Sequence, residues 1–104
     1  MILYFKSIKA LELLRCFKNL SHTDKLRLTI HLLENNSLDI NAKNELNMLK
    51  NQLTELAESH TTTLVNFSKY QHLTLMSAIF MEISEKDRKI VVLDMINNIF
   101  NTNN

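Results

Sequence analysis

The stretch FKNLSHTDKLRLTIHLL, residues 17–33, decides how this chain folds. Ser21 stands three residues before Asp24 and opens an apolar-periodic run. That is the order of a helix start: the serine hydroxyl accepts an orphan backbone N–H, and the acid sits on the positive helix end. Beyond it Leu26, Thr29, Ile30 and Leu33 share a helical face, flanked by Leu28 and Leu32, with Arg27, His31 and Glu34 turned to water. Asn35 and Asn36 are expected to end this helix, since asparagine tolerates left-handed geometry.

The same order recurs in residues 80–96, FMEISEKDRKIVVLDMI, where Ser84 precedes Asp87. Ser21 and Ser84 lie 63 residues apart, and at that offset Phe17 matches Phe80, Leu20 matches Ile83 and Lys25 matches Arg88. Two readings stand side by side. One is a helical hairpin used twice; the other is the ordinary likeness of any two capped amphipathic helices. In the second copy Val92, Leu93, Met95, Ile96, Ile99 and Phe100 are expected to face inward.

Nothing elsewhere in the chain argues for strands. The 104 residues contain neither glycine nor proline, where ordinary composition would supply about a dozen. Tight hairpins and phosphate-cradling loops need backbone that glycine usually supplies, so sheets and phosphate loops are both disfavoured. An all-α fold follows, as a single domain over residues 1–104: a compact bundle of five helices, or of four with one long central helix, with two similar hairpins around it.

The remaining helices read as follows. Residues 3–20 place Leu3, Ala10, Leu13, Leu14, Phe17 and Leu20 on one face. A third helix carries only a narrow seam of Ala42, Leu46, Leu49, Leu53 and Leu56, repeating in alternating steps of three and four. Residues 59–63, rich in threonine, either break the chain or lie within one long helix running on through Phe67 and Tyr70. Leu64 to Glu82 forms a fourth helix whose residues 73–81 are apolar almost all round, which points to the bundle centre.

Composition excludes more functions than it suggests. The net charge of +1 creates no global field for nucleic acid or an anionic membrane. Charge is unevenly spread, however. Residues 1–33 carry Lys6, Lys9, Arg15, Lys18, Lys25 and Arg27 against Glu12 and Asp24, while residues 34–60 have an acidic excess. The lone Cys16 rules out an internal disulfide, the apolar start stops at Lys6, and the longest apolar-rich stretch is about half a membrane span. A soluble, cytoplasmic protein is expected.

No catalytic residue, cofactor or metal is assigned. Among His22, His31, His60 and His72 no two have the spacing of a metal-binding helix face. Glu55 and Glu58, one turn apart, read as solvated charge, and Cys16 as a plain thiol. A non-catalytic protein-binding module is therefore expected, of the inhibitor, immunity-protein, chaperone or regulator type. The seam Ala42, Leu46, Leu49, Leu53 and Leu56, with Ile90 and Val91 off the fifth helix's main stripe, would be its contact surface. That seam is either the outermost packing element of the bundle or a homodimer interface. The alternative is a nucleic-acid-binding regulator using Lys6, Lys9, Arg15, Lys18 and Arg27.

Overall fold

The computed structural model describes residues 7–56 and 70–101. Five helices follow in order: α1 (Ile8–Lys18), α2 (His22–Asn35), α3 (Lys43–Leu56), α4 (Gln71–Glu82) and α5 (Glu85–Phe100). They hold 82% of the described residues, and no strand occurs among these.

Three serines start helices in the same way. Ser7, Ser21 and Ser84 sit in extended geometry, and their Oγ atoms accept from the N–H groups of Ala10, Asp24 and Asp87 at 3.1, 3.2 and 3.1 Å. The cap at Ser7 starts α1 later than the apolar pattern suggests; Leu3 lies outside the described residues. α4 lacks such a cap. It begins after Tyr70, whose φ of −108° and ψ of 85° break helical geometry. One long helix running through Tyr70 therefore does not form, and residues 59–63 and 64–69 lie outside the described residues.

Helix C-termini need the opposite solution: acceptors for which donors must be found. No described residue has positive φ, so the left-handed geometry expected at Asn35–Asn36 is absent. Asn36 is extended instead, and side-chain amides supply the donors. Asn35 Nδ2 donates to the His31 carbonyl at 2.9 Å, Asn36 Nδ2 to that of Leu32 at 3.0 Å, and Asn101 Nδ2 to that of Asn97 at 2.9 Å. At the end of α4 the Arg88 guanidinium does the same for Phe80 and Met81, at 3.2 and 2.7 Å.

α1 packs on α4 and α5, and α2 packs on α3, α4 and α5. Each helix of the hairpin α1–α2 thus meets both helices of the hairpin α4–α5. The matched positions are matched in burial: Phe17 and Phe80, Leu28 and Val91, Thr29 and Val92, and Leu32 and Met95 are all fully buried. α3 is no central helix. It lies outside, mainly against α2, burying Leu49 and Leu53 and leaving Met48 and Leu56 exposed. Burying each leucine contributes roughly 1.5–3 kcal/mol, enough to dock a helix that is otherwise polar.

α4 is not central either. It buries Leu73, Met76 and Phe80, whereas Leu75 remains 65% exposed and Ile79 and Met81 are partly so. Its mate α5 turns out Leu93, expected inward, at 50% exposure, although the matching Ile30 of α2 is only 3% exposed. α3 accounts for that difference. Its Gln52 and Lys50 reach His22 and Glu34 on either side of the Leu26–Ile30 stripe, at 3.0 and 2.5 Å, and among the described residues no helix stands on the Leu93 side of α5 in that way.

Candidate functional site

The expected contact surface divides on folding. Leu49, Leu53 and Val91 are fully buried in the chain's own core, so they cannot serve a partner: their apolar area is already spent. Two of the five seam residues, Leu49 and Leu53, thus pack within the chain, whereas Ala42, Leu46 and Leu56 keep surface outside it. Ala42 and Leu46 are half-buried and, with Leu33, Leu38 and Ile40, line a small cleft of about 140 Å³ beside the α2–α3 turn. Ile90 is half-buried, and Leu56 is exposed at the end of α3.

The basic residues divide as well. Lys6 lies outside the described residues. Lys9 bridges to Glu82 at 2.6 Å, tying α1 to α4. Arg27 is largely enclosed; it pairs with Asp24 at 2.8 Å and lies 4.4 Å over the Tyr70 ring. These cations fasten hairpins together and do not form a phosphate-binding row.

Arg15 and Lys18 remain, one turn apart on α1, and they line an open groove. It holds about 590 Å³ between α1 and α5. Leu11, 39% exposed, and the buried Leu14 line it from α1 together with the two cations, and Asp94, Asn97 and Asn98 line it from α5. Lys18 has no carboxylate within ion-pairing distance among the described residues, and Arg15 has only Glu12, at 3.5 Å with both side chains largely exposed. An ion pair so exposed is screened and worth little, so both charges stay available. The sequence signal for this wall was the Arg15–Lys18 spacing. Leu11, Asp94, Asn97 and Asn98 had none, because the groove joins segments some 80 residues apart.

No group of three metal-ligating side chains occurs among the described residues. His22 meets Gln52 and His72 meets Asp24, while His31 is held below its ordinary pKa because burial disfavours the imidazolium, Glu34 opposing this in part. Cys16 is exposed, and His60 and Glu58 lie outside the described residues. Among the described residues no helix is long and apolar enough to cross a membrane. No known protein family, curated protein or solved structure matches the chain.

Proposed function

We propose that this protein is a non-catalytic, cytoplasmic binding module that regulates another protein by seating part of it between α1 and α5. One observation carries the reading: an open groove of about 590 Å³ in which the partly exposed Leu11 lies beside the exposed cations Arg15 and Lys18. Apolar floor supplies area, and a charged or amide rim fixes orientation; that division of labour is usual in protein-binding grooves. Two of the five residues behind the nucleic-acid alternative, Lys9 and Arg27, are engaged internally, which weakens that reading.

The test is site-specific cross-linking in the native host. A photoreactive residue replacing Leu11 or Lys18 should trap one discrete protein, and the same residue replacing the exposed Asn51 of α3 should trap none. Equal trapping at all three positions, or at none, would overturn the assignment.

A further inference from the structure

Resting on that reading, we infer that the groove's occupant is an acidic amphipathic helix of a partner protein. Ser7 N–H donates to Asp87 Oδ2 at 3.1 Å, which joins the starts of α1 and α5; the groove opens along their later turns, between residues 11–18 and 94–98. Such a trough is about two helical turns long. Leu11, partly exposed beside the buried Leu14, would receive an apolar side chain from the stripe of such a helix, the usual way a helix seats in a groove. Arg15 and Lys18 would then meet carboxylates on the flank of that stripe.

The chain contains its own control. At the 63-residue offset the pair α4–α2 presents Thr74 and Ser77 where α1 has Leu11 and Leu14, and Ala78 and Met81 where α1 has Arg15 and Lys18. Opposite, Glu34 is paired with Lys50 at 2.5 Å, and Asn35 bonds back to His31. On α4 that side carries no charge. Among the described residues of the two hairpins, apolar lining and exposed cations coincide between α1 and α5, so neither is needed to build a hairpin of this kind. The apolar lining at Leu11 favours a ligand with apolar side chains over nucleic acid.

Isotope-labelled full-length protein titrated with designed helical peptides tests the inference by backbone amide NMR shifts. A peptide with a leucine stripe flanked by glutamates should shift the amides of residues 11–18 and 94–98. The double variant Arg15→Glu, Lys18→Glu should weaken its binding about tenfold or more. Both side chains are surface-exposed, and Lys18→Gln, with Arg15 retained, provides a milder second variant whose unchanged spectrum verifies folding. Equal binding of a peptide carrying lysines in place of the glutamates would overturn the acidic character and leave the groove reading intact. Shifts confined to other faces, or none with any peptide, would overturn both. A short DNA duplex shifting the groove amides more strongly than the acidic peptide would overturn the choice of a protein partner.

Discussion

Asp24 and Asp87, equivalent residues of α2 and α5, each reach from one hairpin to the first turn of the other: Asp24 Oδ2 meets His72 Nε2 at the start of α4 at 3.0 Å, and Asp87 Oδ2 accepts from Ser7 N–H at the start of α1 at 3.1 Å. Both also donate their own backbone N–H to a serine cap. One acid per hairpin thus supports its own helix and holds the opposite one. Asp87 is nearly buried, whereas Asp24 shares its charge between Arg27 and the exposed His72.

Asp87→Ala should therefore lower stability by about 1–3 kcal/mol, since it strands a part-buried N–H and removes a negative charge from a helix start. Urea unfolding reads the change. A loss below about 0.5 kcal/mol would show that the tie between hairpins contributes nothing.

Thr29→Val should raise stability, by roughly 1 kcal/mol. Thr29 is fully buried and its Oγ1 has no hydrogen-bond partner, while the equivalent position in the second hairpin holds a fully buried Val92. Replacing a buried, unsatisfied hydroxyl by a methyl removes a desolvation cost. A lower thermal midpoint for the variant would contradict this account of the α2 core.

The seam of α3 provides a sharper test. Leu49→Asp together with Leu53→Asp places charges in the core between α3 and α2 and should unfold the protein or detach α3, at a cost of several kcal/mol. Leu49→Ala alone should cost about 2–5 kcal/mol. A doubly substituted protein with native circular dichroism and half the wild-type mass in solution would instead mean that the seam joins two copies.

His31 sets an expected pH dependence. Its folded pKa lies below the ordinary 6.5, so in the window beneath 6.5 the unfolded chain binds more protons than the native one. Stability should fall as pH drops from 6.5 through the folded pKa and should level off below it. His31→Gln should flatten that segment of a stability profile; an unchanged slope would assign the dependence to other groups.

Much of this architecture was legible in the residues themselves. Ser21 and Ser84 announce their helices because a cap is a local matter of one hydroxyl and one N–H. The position of α4 was not legible, because an apolar surface such as Leu75–Ile79 says nothing about whether another helix stands opposite. The seam of α3 was ambiguous for the same reason: Leu49 and Leu53 fit a neighbour in the same chain as well as one in a second copy. The groove escaped notice because Asp94, Asn97 and Asn98 carry no signal until α5 is laid beside α1. Arg15 and Lys18 could be singled out beforehand, as candidates for nucleic-acid contact.

The amide-capped helix ends have a consequence for how this protein ages. Where glycine terminates a helix, the constraint lies in backbone geometry and is chemically inert. Here Asn36 and Asn101 hold the ends of α2 and α5 through side-chain nitrogens. Hydrolysis of either amide to a carboxylate would exchange a donor for an acceptor and set a negative charge against carbonyls at the negative end of the helix. The ends of α2 and α5 are thus open to slow covalent damage that a glycine terminus would not suffer.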